Sequence, residues 1–98
     1  MLVTLKTRLT AKKELAKDVY LLKFDIDEPS SFTFAPGQYV ILLVPQENGM
    51  ARRLFSVASS AADSSSFELL VKYLPEGLAS QYFRTLKTGD AAMFQGPA

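Results

Sequence analysis

The stretch "RRLFSVASS", residues 52–60, sets two adjacent arginines against a segment that alternates like a strand. A guanidinium is planar and always charged, so Arg53, if it faces a ligand, can hold phosphate oxygens through paired hydrogen bonds. Phe55 lies two residues on and shares a strand face with Arg53, leaving Leu54 and Ser56 on the other. An aromatic face beside a phosphate anchor suits a nucleotide or a flavin. The same residues also read as a solvated arginine pair flanking a loop, with Phe55 in a core.

A second candidate is "PEGLASQYF", residues 75–83. A glycine turn that opens directly into a helix leaves several backbone N–H groups pointing at one spot, at the positive end of the helix dipole. Gly77 permits close backbone approach and Ser80 adds a hydroxyl. The plainer reading is an ordinary turn with a serine N-cap. Lys72 in "LLVKYL" sits at an outward strand position, where lysines are ordinarily solvated. Asp25, Asp27 and Glu28 have no nucleophile or metal partner and read as surface. Two phosphate-type anchors flanking an aromatic fit a dinucleotide with a stacking ring. Flavin adenine dinucleotide meets that description and brings its own redox chemistry.

The 98 residues include no Cys and no His, so whatever chemistry occurs here must need neither or must be carried by a bound cofactor. Disulfides, thiolate nucleophiles, zinc sites and cysteine-ligated iron–sulfur clusters are excluded from this chain, together with the commonest general base. No metal site is expected. Net charge is +1, from 11 basic and 10 acidic residues, which creates no field for nucleic acid or anionic lipid. The longest apolar run, "YVILLVP", falls far short of the ~20 residues that span a bilayer, and the N-terminus alternates unlike a signal peptide. A soluble, cytoplasmic protein is expected.

The elements that must position these residues are mostly strands. Val3, Leu5 and Leu9 alternate with Thr4, Lys6 and Arg8; "AKKELAKD" then separates this strand from "VYLLKFDID", which puts Tyr20, Leu22, Phe24 and Ile26 on one face. "EPSSFTFAPG" is connecting chain, with Pro36-Gly37 a turn signal. "QYVILLV" is a continuous apolar strand ended by "PQENG", "LFSVAS" is short, and "SSAADSSS" reads as a surface loop. "FELLVKYL" sets Phe67, Leu69, Val71 and Tyr73 against Glu68, Leu70, Lys72 and Leu74. The spacing of Leu78, Tyr82, Phe83 and Leu86 predicts one short helix over 78–87, with Gly89 as its stop. "AAMFQ" is the last strand. The expected fold is all-β: a six-stranded antiparallel Greek-key barrel with one capping helix, in a single domain over residues 1–98.

In order and spacing, "FAPGQYV", "RLFSVASS", "LLVKYL", "GLASQYF", "LKTGD" and "QGPA" resemble the flavin domain of the ferredoxin–NADP reductase superfamily. That superfamily includes NAD(P)H:flavin reductases, phthalate dioxygenase reductases and many oxygenase reductases. The resemblance runs from about residue 5 to residue 98. It implies that Arg53 binds the flavin pyrophosphate and Phe55 stacks on the isoalloxazine, with Leu54 between them in the binding segment. Ser56 would approach the N5/O4 edge where hydride arrives, the one catalytic position implied. Val71 and Lys72 would line the nucleotide, and Gly77, Leu78, Ala79 and Ser80 would bind pyrophosphate at the helix start. Arg52 matches no family role and reads as surface.

Phe55 stands where the family usually carries tyrosine, so the hydroxyl that anchors the ribityl chain is missing. The family's nicotinamide-binding domain follows a Gly-Pro-x-Gly signature, whereas this sequence stops at Pro97-Ala98. The expectation is therefore the N-terminal flavin portion of a longer NAD(P)H-dependent oxidoreductase, with FAD as cofactor and FMN as the other flavin to test. Electrons would pass from NAD(P)H through the flavin to an acceptor, protein or small molecule, recognised outside these motifs. The 98 residues alone should not turn over NAD(P)H efficiently. The competing reading is a non-catalytic barrel module, or an electron-transfer subunit that relies on another chain for nucleotide binding.

Overall fold

A computed structural model describes residues 2–29, 32, 38–58 and 65–97. In chain order the elements are β1 (Val3–Ala16), β2 (Val19–Glu28), β3 (Tyr39–Gln46), β4 (Gly49–Ser56), β5 (Ser66–Lys72), α1 (Leu78–Thr85) and β6 (Ala91–Gly96). The six strands form one antiparallel sheet in the order β4-β3-β6-β1-β2-β5. The sheet curls until its two outer strands meet. Val57 and Leu69 form an antiparallel bridge there, and Ala58 N–H donates to the Glu68 carbonyl at 2.8 Å. The barrel expected from the sequence is thus drawn together at one point between β4 and β5.

Period-two burial explains most of the strands. Leu5, Thr7 and Leu9 of β1 are buried while Thr4, Lys6 and Arg8 are exposed. β2 buries Leu22, Phe24 and Ile26, and β5 buries Phe67, Leu69 and Val71. Their aromatic rings form the centre of the core. Phe94 of β6 meets Phe24 edge-on at 4.9 Å and Phe67 at 5.0 Å, and Phe24 stacks on Phe67 at 5.6 Å. β3 breaks the alternation. All of Val40–Val44 is buried: Val40, Leu42 and Val44 face the core, and Ile41 and Leu43 are buried on the opposite face of a strand paired on both edges.

Three boundaries differ from the sequence expectation. β1 does not stop near Leu9 but continues through "AKKELA" to Ala16. Those residues favour helix by propensity, yet pairing with β2 overrides it, with Lys12 opposite Leu22 and Glu14 opposite Tyr20. Asp18, at φ 61, closes the hairpin in a left-handed conformation that aspartate tolerates. β4 begins at Gly49, directly after a Glu47-Asn48 turn, so Arg52 and Arg53 lie inside the strand rather than before it. α1 ends at Thr85, two residues short of the expected 87. Gly89 (φ 99) does not end the helix. It donates its N–H to the Leu9 carbonyl at 2.7 Å and so stitches the following loop to β1. The Pro36-Gly37 turn and residues 59–64 of the serine-rich loop lie outside the described residues; Ser66 opens β5 and is buried.

Candidate functional site

Beyond the Val57–Leu69 bridge, β4 and β5 share no ladder among the described residues, and α1 lies against the region where they part. Two contacts tie the helix to the two strands. The Phe83 ring of α1 meets Phe55 of β4 edge-on at 5.3 Å. The Ser80 hydroxyl of α1 accepts the N–H of Leu74, just beyond β5, at 2.8 Å. Of the candidate residues, these contacts join Phe55 and Ser80 to the one helix, Phe55 through Phe83 and Ser80 through the backbone just beyond β5.

On β4, Arg53 is exposed and makes no ion pair among the described residues; its Nη1 donates to the Arg52 carbonyl at 2.8 Å. Leu54 is 61% exposed, an unusual state for a leucine in a strand. Phe55 is half-buried and packs against the core, opposite Val40 of β3, while Ser56 is exposed opposite Tyr39. The core packing expected as the plainer reading of Phe55 is thus present, and the residue is not fully buried.

On β5, Val71 sends its side chain into the core, so its outward contribution is limited to backbone groups. Lys72 is exposed at the end of the strand. Gly77 is the N-cap of α1, and no side chain caps that end. The N–H groups of the first turn, Leu78, Ala79 and Ser80, are those that an α-helix cannot satisfy internally. Leu78 and Ala79 are half-buried against the core. Ser80 is buried, and it is not the N-cap that one reading expected. It sits in the first turn and accepts from Leu74 with an oxygen lone pair, which leaves its own hydrogen free to donate.

The far end of α1 contains residues that spacing did not single out. Tyr20 and Tyr73 stack at 4.4 Å between ring centroids. The Lys12 ammonium lies 6.0 Å and 5.9 Å from the two rings, and the Arg84 guanidinium 5.4 Å from Tyr73. The Tyr73 hydroxyl is buried with no hydrogen-bond partner among the described residues. Burial, reinforced by the Tyr20 phenol and opposed by Arg84, pushes the Tyr73 phenol up to about 12. Desolvation also pushes Lys12 below its ordinary value. No local pattern marks these contacts, since they join positions as far apart as 12 and 86.

A shallow concavity lined by Glu14, Leu15, Ala16 and Lys17 sits at the β1–β2 turn and carries none of the candidate residues. Among the described residues, no cluster of His, Cys, Asp or Glu could hold a metal, and no helix is long and apolar enough to cross a membrane. What the β4–β5–α1 region offers is a guanidinium with no ion pair among the described residues, a helix start without a side-chain cap and a partly buried aromatic ring. Such a set can bind an anionic group attached to a flat ring system.

Comparison with known proteins gives matches over nearly the whole chain. Residues 6–98 match the family described as "Oxidoreductase FAD-binding domain". A ferredoxin–NADP reductase B of Sorangium cellulosum is 33% identical over 92 residues, covering 94% of this chain and 38% of that protein. An NADH-cytochrome b5 reductase-like protein of Mus musculus is 30% identical over 89 residues, covering 91% of this chain and 28% of that protein. Among solved structures, a cytochrome P450 reductase of Amycolatopsis superposes with a TM-score of 0.86 at 31% identity, covering 99% of this chain and 28% of that one. The chain thus spans well under half the length of these relatives.

Proposed function

The chain belongs to the family of oxidoreductase FAD-binding domains, and from that premise we propose that it is the flavin-holding barrel of an NAD(P)H-dependent reductase. A nicotinamide-binding domain, in the remainder of a longer chain or in another chain, would complete the enzyme. The observation that carries the reading is the parting of β4 and β5 beside an uncapped helix start. These residues fit a flavin dinucleotide. Arg53 has no anion among the described residues, and the first-turn N–H groups of α1 supply neutral donors for a diphosphate. Phe55 presents a partly exposed ring face for stacking, without the hydroxyl a tyrosine would add.

When bound, the flavin supplies the two-electron redox chemistry that a chain without His or Cys does not provide. The part played by the protein is to bind and to orient. Arg53 and residues 77–80 fix the diphosphate, Lys72 adds positive charge at the strand end, and Phe55 sets the ring plane. Ser56, exposed at the end of β4, would offer its hydroxyl to the reacting edge of the ring. Holding two reactants in register in this way is itself a large catalytic effect.

Flavin titration tests the assignment. The purified chain should quench the fluorescence of FAD on binding, and Arg53→Ala should weaken FAD by about 10- to 100-fold, the range for losing a charge-assisted pair of hydrogen bonds. Riboflavin, which has no phosphate, should lose less than about twofold, because its ring contacts remain. Equal losses for the two flavins, or no binding at micromolar FAD, would overturn the proposal.

A further inference from the structure

We infer that Lys12, on a strand outside every candidate motif, is a positioning residue for the diphosphate end of the flavin site, acting through helix α1. This rests on the flavin reading above and extends it to a residue that touches no flavin.

The last carbonyls of a helix have no intrahelical partner and carry its negative end. At the end of α1 the Lys12 ammonium reaches three carbonyls at once, of which that of Phe83 also accepts the Leu86 N–H at 3.2 Å. It donates to the carbonyls of Phe83 at 2.9 Å, Leu86 at 3.0 Å and Arg84 at 3.5 Å. All three ammonium protons are thereby used, and the charge opposes the helix dipole. Lys12 itself is held in the β1–β2 ladder opposite Leu22, with its ammonium 6.0 Å and 5.9 Å from the Tyr20 and Tyr73 ring centroids. A rigid strand therefore grips one end of an eight-residue helix whose other end is Gly77–Ser80.

Elsewhere the helix is held by the Ser80 hydroxyl, which accepts the Leu74 N–H at 2.8 Å, and by Leu78, Ala79 and Tyr82 packed against the core. Its N-terminus has no side-chain cap, and its fully buried anchor is the Phe83 ring, wedged against Phe24 and Phe55. These contacts act along the N-terminal and middle parts of the helix. The Lys12 clamp adds a fixed point at its C-terminal end, and over a helix about 12 Å long a small tilt at one end displaces the N–H groups at the other. Those N–H groups bind phosphate only if they converge. The ring contacts of the flavin do not depend on that convergence, because Phe55 belongs to β4.

The test compares FAD with riboflavin in Lys12→Met, which keeps the length of the stem and removes the charge, and in Lys12→Arg, which restores charge and donors. Folding is checked first by circular dichroism. The FAD dissociation constant of Lys12→Met should rise about three- to tenfold, the range for losing a partly buried cation at a helix end. Riboflavin should change by less than about twofold, Lys12→Arg should recover most of the loss, and amide exchange over residues 81–86 should accelerate in Lys12→Met alone. Unchanged FAD affinity in folded Lys12→Met overturns the inference while leaving the flavin reading intact, as do equal losses for FAD and riboflavin. A wild-type chain that binds no FAD overturns both. If Lys12→Met does not fold, Lys12→Gln carries the same comparison.

Discussion

Replacing Tyr73 by phenylalanine should leave the protein at least as stable at pH 8 and make it more resistant to alkali. The ring is 4% exposed, stacked on Tyr20, and its hydroxyl has no partner among the described residues. A buried hydroxyl without a partner costs about 1–3 kcal/mol, so deleting its oxygen should be neutral or stabilising by up to about 1 kcal/mol once the small void is counted. The alkaline effect follows from linkage. The folded-state pKa of Tyr73, about 12, lies above its ordinary 10.0. Between those values the unfolded chain has released the proton and the folded chain has not, so the unfolded state binds fewer protons and stability falls as pH rises. The contribution is fully present below pH 10 and is lost towards pH 12. Two units at 1.36 kcal/mol each set an upper limit near 3 kcal/mol, and screening around a ring flanked by Lys12 and Arg84 brings the expected loss to about 1–3 kcal/mol.

Urea unfolding of wild type and Tyr73→Phe at pH 8, 10, 11 and 12 would read this directly. Tyr20 and Tyr82 are also raised, chiefly by desolvation, and add to the alkaline loss of both proteins. The difference between the two curves therefore isolates Tyr73. A wild-type minus variant difference that stays flat from pH 8 to 12 would refute the buried-phenol reasoning. So would a variant that loses more than about 1 kcal/mol at pH 8, since that marks a hydroxyl with a working partner.

Three further perturbations address the scaffold. A Cβ on Gly77 would sit 3.1 Å from the Ser80 oxygen, so Gly77→Ala should destabilise by about 1 kcal/mol. Its cost should shrink in a Ser80→Ala background, a coupling that a thermal-melt double-mutant cycle would show. Phe94→Ala removes the ring that meets both Phe24 and Phe67 and should cost about 3–5 kcal/mol by urea unfolding, a large share of the stability of a domain this size. Thr7→Val deletes the buried hydrogen bond from Thr7 Oγ1 to the Ala92 carbonyl, 2.8 Å long, and should cost about 1 kcal/mol by the same measurement.

β2 and β5 were legible in the sequence because each buries one face, and a one-sided strand writes its period into the order of residues. The second half of β1 was not. "AKKELA" carries helix-favouring residues on a strand whose exposed side tolerates them, and only its pairing with β2 decides the outcome. β3 was legible as a strand, but its two-sided burial depends on neighbours that no local window contains. In the candidate site, Arg53, Phe55 and the glycine turn stood out because their chemistry is local and follows a family order. Lys12 did not, because a lysine in a polar stretch looks solvated until the fold brings residues 83–86 to it.

The parting of β4 and β5 has a consequence for self-association. These two strands end the sheet order, and an edge strand offers unpaired amide groups to which a second chain can add. Here the edges carry Arg52 and Arg53 on one side and Lys72 on the other, all exposed. Two copies that approach edge to edge bring like charges together, which opposes strand addition between copies. Replacing all three by neutral residues would strip both edges of that guard, and the loss should appear first as aggregation.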